Sequence, residues 1–317
     1  MHDKKEVKGK AGNTVKSIVV SSLVKSYGPL KAVNDVSITI EKGVIFGMLG
    51  PNGAGKTTMV EILVGLRFPD SGSVTVLELN PVTQKEKLNQ KIGVQLQTPS
   101  LFPRLTVRES LRLHAGLYQN PFPEAQVLAW IGLHEKAGTL NYKLSGGQMQ
   151  RLAVGTAIIG NGEIIFLDEP TTGLDPQARR NLWEVILHLK NLGKTIFLTT
   201  HYMEEAQQLC DQVAIIDHGS IIALDSPEGL INNHYSEQAI EIKITDGMDT
   251  DYSNIPGVSR FQITEEKATL YSSNVEDSIR YLINEEKKGK AALTNLSIRK
   301  ATLEDVFLKL TGRSIRG

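Results

Sequence analysis

The chain of 317 residues contains a single cysteine, Cys210. One thiol excludes a disulfide framework and a zinc site built on cysteines. The lack of disulfide chemistry fits the cytosol. Cys210 lies in a helical-looking stretch and reads as a small buried apolar residue. Long apolar runs are also missing. None approaches the roughly 18–20 residues that a membrane-spanning helix requires, so the chain is not expected to form a transmembrane pore itself. The N-terminus, residues 1–16, is polar with no apolar signal core and reads as a flexible solvated tail. Net charge is absent as well, because 35 Lys and Arg balance 35 Asp and Glu. That balance gives no electrostatic reason to expect a nucleic-acid partner.

What is present is the rhythm of an α/β protein. Val36–Ile40 alternates apolar and polar residues, as a half-exposed antiparallel strand does. Val44–Leu49 is a short apolar run ending in glycine, and Thr57–Leu66 follows as a helix. Helices are expected over Leu105–Tyr118, Glu124–Ile131 and Gln148–Ile159. Ile164–Leu167 and Thr195–Leu198 are continuous apolar runs of the buried parallel type. A helix near Pro176–Leu189 separates them, which makes a βαβ unit. After Gly229 the pattern changes to short strands at Ala239–Ile244, Arg260–Thr264, Thr269–Ser272 and Leu293–Ile298, with a helix at Val275–Glu286. Leu303, Val306, Phe307 and Leu310 follow the i, i+3, i+4, i+7 spacing of a final amphipathic helix.

Three motifs carry chemistry. Gly50-Pro51-Asn52-Gly53-Ala54-Gly55-Lys56-Thr57 matches the phosphate-loop pattern in full and lies between a strand and a helix, the context the motif requires. Its glycines let successive N–H groups turn inward toward oxygen. The helix that follows, opening with Lys56-Thr57-Thr58, presents its positive end to a phosphate. Lys56 adds a point charge toward the β- and γ-phosphates, and the Thr57 hydroxyl is a ligand for Mg²⁺. Ile164–Leu167 ends in Asp168-Glu169. Asp168 is placed to hold Mg²⁺ or its waters, and Glu169 to act as general base toward an attacking water. Ser145-Gly146-Gly147, before the helix Gln148–Ile159, makes a second helix start suited to an anion.

The phosphate loop, then Leu-Ser-Gly-Gly-Gln at 144–148, then Leu-Asp-Glu-Pro at 167–170, in this order, resembles the ATP-binding cassette superfamily. The resemblance covers about 17–236. It implies ATP as ligand with Mg²⁺, a RecA-like parallel-sheet core, an antiparallel β subdomain and a helical subdomain at about 98–160. It also implies further roles. Tyr27 resembles the aromatic that stacks on adenine. Gln97 resembles the glutamine that senses Mg²⁺ and the attacking water, with Gln95 as a rival two residues away. Asp175, in Gly173-Leu174-Asp175-Pro176, resembles the loop that crosses a dimer seam. His201 resembles the switch histidine near the γ-phosphate. Members of this family pair head to tail, so Ser145–Gly147 of one protomer would close over ATP on the phosphate loop of the other.

The ending at 302–312, Asp217-His218-Gly219 and Leu224–Pro227 resemble the daunorubicin-resistance branch of exporter ATPases. This implies an ATPase at the cytoplasmic face of the cell membrane, acting as a homodimer or with a paralogue. Separately encoded permease subunits would export a drug, antibiotic, lipid or ion. An importer subunit would share every ATP residue, and a soluble cassette ATPase in translation or repair is the third reading. The expected architecture is thus an α/β cassette ATPase domain at 17–236 followed by a small α+β C-terminal domain at 237–317.

Overall fold

The structure, a computed structural model, describes residues 15–97, 100–235, 238–243, 252–264, 267–287 and 294–312. The expected N-terminal tail through residue 14, together with Thr98, Ile244 and Leu293, lies outside the described residues. The chain forms two compact units, Met1–Leu224 and Asp225–Gly317.

The first unit opens with β1 (Lys16–Tyr27) and β2 (Leu30–Glu41), an antiparallel pair turned at Gly28 with φ +58°. Only the second half of β2 is legible as alternation. In β1 the alternation breaks at Ser22, which adopts φ 46°, and the register with β2 slips between Val20 and Leu23. Then come β3 (Ile45–Leu49), helix α1 (Lys56–Leu63), β4 (Ser71–Val76), the short helix α2 (Lys85–Asn89) and β5 (Ile92–Gln95). β4 pairs with the free edge of β1, completing a three-stranded sheet in the order β2-β1-β4.

Helices α3 (Val107–Ala115), α4 (Glu124–Trp130) and α5 (Gly146–Ile158) pack on one another. α3 starts later than the apolar pattern suggests because Thr106 and Glu109 form a capping box that fixes its first turn. The rest of the unit comprises β6 (Ile164–Asp168), α6 (Pro176–Asn191), β7 (Thr195–Thr200), α7 (Met203–Leu209), β8 (Gln212–Asp217) and β9 (Ser220–Asp225). The second sheet has the order β5-β6-β7-β3-β8-β9. Strands β5, β6, β7, β3 and β8 run parallel and are almost wholly buried, which is why β3, β6 and β7 read as continuous apolar runs. Phe46, Phe166 and Phe197 stack across three neighbouring strands with centroids 5.5 and 5.7 Å apart. The register pairs Leu49 with Thr200 and Asp168 with Thr199, so β3, β6 and β7 end together. Ligands of such sheets bind beyond the carboxyl ends of the strands.

The second unit begins ahead of the boundary expected after 236, because α8 (Pro227–His234) packs on the last helix, α10 (Leu303–Thr311). Lys309 donates to the His234 carbonyl at 2.5 Å, which ties the two helices. Between them lie β10 (Gln238–Lys243), β11 (Val258–Ile263), β12 (Lys267–Ser272), α9 (Val275–Lys287) and β13 (Thr294–Lys300). The strands form one antiparallel sheet in the order β11-β12-β10-β13. Ile240, Ile242, Leu270 and Leu282 form its core.

A buried polar cluster anchors α10. Asp305 accepts from Tyr271 Oη at 2.5 Å, from Arg299 Nη1 at 2.5 Å and from the Thr302 N–H at 2.8 Å, and Tyr235 Oη donates to the Asp305 carbonyl at 2.7 Å. Burial alone would raise the Asp305 pKa, but these donors, Arg299 foremost, hold it at about 2. A carboxylate whose pKa is depressed on folding stabilises above its unfolded value and loses that contribution as pH falls through the folded value. The second unit should therefore lose stability between about pH 4 and pH 2. Asp305→Asn should cost about 2 kcal/mol at neutral pH and almost nothing at pH 2. Urea titrations followed by circular dichroism at both pH values check this. An equal loss at both would refute the assignment.

Candidate nucleotide site

The loop from Gly50 to Gly55 joins β3 to α1 and needs glycine at defined points. At Gly55 the backbone has φ +108°, and a Cβ there would lie 2.1 Å from the Ala32 carbonyl oxygen. At Gly50 a Cβ would meet the Ile216 carbonyl at 2.3 Å. The first turn of α1 supplies Lys56, Thr57 and Thr58 at its N-terminus, where backbone N–H groups lack partners within the helix.

Lys56 is buried. Its ammonium donates to the Gly50 carbonyl at 2.8 Å and the Pro51 carbonyl at 3.2 Å, and lies 3.1 Å from Glu169 Oε1. These three acceptors match the three protons it carries. Glu169 follows β6 and sits at φ 50°, a left-handed conformation that a residue with a side chain adopts rarely. Its second oxygen, Oε2, lies 3.1 Å from His201 Nδ1 and accepts from Thr172 Oγ1 at 3.3 Å. His201, followed by Lys56, holds the Glu169 carboxyl far below its ordinary range, at about 2.

Asp168, the last residue of β6, is fully buried. Thr199 of β7 donates to its Oδ1. Among the described residues its Oδ2 is buried without a hydrogen-bond partner, and the Thr57 hydroxyl approaches the same carboxyl. Burial raises the Asp168 pKa, against the lowering effect of the Thr199 hydrogen bond and the Lys56 charge. An orphaned carboxylate oxygen beside a threonine hydroxyl fits a hard cation that takes oxygen ligands, so Mg²⁺ suits this donor set.

Tyr27, Leu30, Ala32, Asn52, Gly53, Gly55, Lys56, Thr57, Thr58, Gln97 and Glu169 line one cleft. Tyr27 stands at its exposed rim. The Arg67 guanidinium lies 5.3 Å from the ring centre and Lys25 Nζ 5.8 Å, each held by its own carboxylate, Glu61 at 2.5 Å and Asp70 at 2.7 Å. The rival glutamines separate. Gln97 faces the cleft, whereas Gln95 is buried in β5 and donates to the Leu96 and Asp168 carbonyls at 2.6 and 3.2 Å.

Ser145, Gly146, Gly147 and Asp175 do not line this cleft. Ser145 caps α5, its hydroxyl accepting from Gln148 N at 3.3 Å. Asp175 caps α6, accepting from Ala178 N at 2.8 Å. The two segments are neighbours, because a Cβ on Gly147 would lie 3.3 Å from Leu174. Sequence reasoning did not find Thr199, Thr172 or Arg67. A threonine at a strand end or an arginine in a loop carries no signal until the fold supplies its partner.

The ABC transporter family profile matches residues 33–172. A Nod factor export ATP-binding protein I from Rhizobium sp. (strain N33) is 39% identical over 94% of this chain and 98% of its own length. One of the same description from Burkholderia thailandensis is 37% identical over 96% and 99%. A solved ATP-binding subunit of an ABC transporter superposes with a TM-score of 0.63 at 26% identity, covering 68% of this chain and 92% of that one. A bacterial ABC transporter cassette solved as a dimer does so with a TM-score of 0.60 at 26% identity, covering 66% and 98%. The relatives are described by Nod factor export and not by drug resistance, so the family is shown and the drug-resistance branch is not. The chain belongs to the ABC transporter family, as an ATP-binding subunit that hydrolyses ATP.

Proposed function

We propose that this subunit powers export through separately encoded permease subunits at the cytoplasmic face of the membrane. The observation that supports export is the extent of the match. Solved cassettes cover about two thirds of the chain, whereas the export relatives cover 94% or more, which must include most of the second unit. Among the described residues no helix is long and apolar enough to cross a membrane, and on this reading permease subunits supply the passage. The cargo class stays broad on this reading: a drug, antibiotic, lipid-like molecule or ion.

In the proposed cycle Tyr27 stacks on adenine and the Gly50–Thr58 loop cradles the phosphates. Thr57, Asp168 and Gln97 would hold Mg²⁺, which supplies positive charge to the β- and γ-oxygens. Lys56 already has a full set of acceptors, so binding triphosphate exchanges one of them, the Glu169 carboxylate, for phosphate oxygen. Glu169 is then free to take a proton from water, with His201 and Thr172 keeping its carboxylate oriented. Two protomers pair head to tail, and Ser145–Gly147 with Asp175 of one complete the site of the other. That Ser145–Gly147 and Asp175 lie outside the cleft of their own protomer supports this division. Closure of the dimer then becomes movement in the permease.

Glu169→Gln should bind ATP but turn over ~10²–10⁴-fold more slowly, roughly 3–5 kcal/mol in barrier. It should accumulate an ATP-bound dimer in light scattering, and a persistent monomer would count against pairing. Tyr27→Ala should raise the KM for ATP about 10-fold with kcat little changed, since base stacking on an aromatic contributes roughly 1–3 kcal/mol. An unchanged KM would remove Tyr27 from the site. Affinity isolation from detergent-solubilised membranes should recover a membrane permease and no secreted substrate-binding protein. Recovery of a binding protein would turn the reading toward import.

A further inference from the structure

Among the described residues of the first unit, one buried carboxylate takes no part in the cycle above. Glu205, in α7, is fully buried. Its Oε2 accepts from Thr171 Oγ1 at 3.2 Å and its Oε1 from the Trp183 indole N–H at 3.0 Å. The Thr200 hydroxyl lies close to the same carboxyl group. The indole nitrogen can only donate, so the group facing it must accept. Arg179, whose positive charge acts on it only weakly, has its guanidinium over the Tyr202 ring at 4.3 Å. A carboxylate removed from water in this way is costly, and an apolar side chain would fill the same space without that cost.

What Thr171, Thr200 and Trp183 have in common is their position. Thr171 precedes Thr172, which donates to Glu169, and both open the loop that leads to Asp175. Thr200 precedes His201, and its hydroxyl also accepts from the Tyr202 N–H at 2.9 Å. The His201 ring packs on Tyr202 at 4.1 Å and reaches Glu169 through Nδ1. Trp183 lies on α6, the helix that Asp175 caps. Hydrogen bonds and chain neighbours together therefore close a ring: Glu169 bonds Thr172, Thr172 adjoins Thr171, Thr171 bonds Glu205, Glu205 lies beside Thr200, Thr200 adjoins His201, and His201 bonds Glu169.

We propose that Glu205 is a positioning residue that fastens the His201 turn to the 171–175 loop, so that the γ-phosphate end of the cleft and the dimer-seam loop move as one piece. The proposal rests on the roles given above to Glu169, His201 and Asp175. Its test uses the full-length chain. Glu205→Leu, close in volume, removes every acceptor. It should lower kcat about 10- to 100-fold with the KM for ATP within about 3-fold, as a small displacement of positioned groups does. Placed together with Glu169→Gln, it should abolish the ATP-driven dimer. Glu205→Gln keeps one acceptor for the indole and should recover most of the activity.

Trp183 supplies a second readout. The chain has two tryptophans, so Trp130→Phe leaves Trp183 as the sole indole. Its emission should change on addition of MgATP, and Glu205→Leu should remove that response. Wild-type kcat and dimerisation in a folded Glu205→Leu protein would overturn the proposal, as would Trp183 emission in the Trp130→Phe protein that ignores ATP. The latter measurement decides the matter if Glu205→Leu does not fold. If Glu169→Gln alone fails to slow hydrolysis, the underlying cycle is wrong, and the Trp183 response still reports whether the ring transmits nucleotide binding.

Discussion

Lys56 and Glu169 face each other at 3.1 Å, each at most 5% exposed, and much of the first unit is arranged around that pair. Two opposite charges removed from water cost several kcal/mol each, and their mutual attraction offsets this only when the remaining hydrogen-bonding capacity is filled. Here it is filled from three directions. The loop carbonyls of Gly50 and Pro51 complete the ammonium, while His201 and Thr172 complete the carboxylate. The parallel sheet makes this possible, because β3, β6 and β7 end in register and deliver the loop, the acids and the histidine to one edge. The left-handed backbone at Glu169 turns its side chain back into that edge, a strain of order 1–3 kcal/mol that the surroundings sustain.

The parts of this arrangement written locally were legible in the sequence. A buried parallel strand is a continuous apolar run, and the glycine loop and Asp168-Glu169 sit at the ends of two such runs. Parts that depend on a distant partner were not legible. β1 lost its alternation to a left-handed serine and a register slip. Gln95 and Gln97 are equivalent in composition, and only the sheet shows that the first is buried in a strand and the second faces the cleft. The unit boundary is hidden in the sequence because α8 follows the last strand of the first unit directly, yet its packing partner, α10, begins nearly seventy residues beyond its end. Tyr235 and Lys309, which tie α8 to α10, carry no such message in the sequence.

The two units also solve the buried-charge problem differently. In the second, Asp305 is enclosed by donors that leave it fully matched: a bidentate arginine, a tyrosine hydroxyl and a backbone N–H. Such a cluster fixes a helix and has no spare capacity. In the first, Asp168 keeps an oxygen without a donor and Lys56 keeps a partner that a stronger anion can displace. An unsatisfied oxygen in a buried cleft is a liability in a structural element and a requirement in a binding one. The contrast separates a scaffold carboxylate from a working one on physical grounds, independent of family.

Threonine hydroxyls make many of the links around the working carboxylates, at Thr172 and Thr199, and again around Glu205 at Thr171. This choice has a consequence. A hydroxyl both donates and accepts, and rotates about one bond, so it exchanges partners without moving charge through a low-dielectric interior. Arginine or lysine in these places would bind the carboxylates more strongly and would also compete with them for a triphosphate. A hydroxyl network holds Asp168 and Glu169 in place while leaving Lys56 and the α1 N-terminus as the main attraction for phosphate. When Lys56 exchanges Glu169 for phosphate, the carboxylate thereby keeps Thr172 and His201 as partners and stays in place.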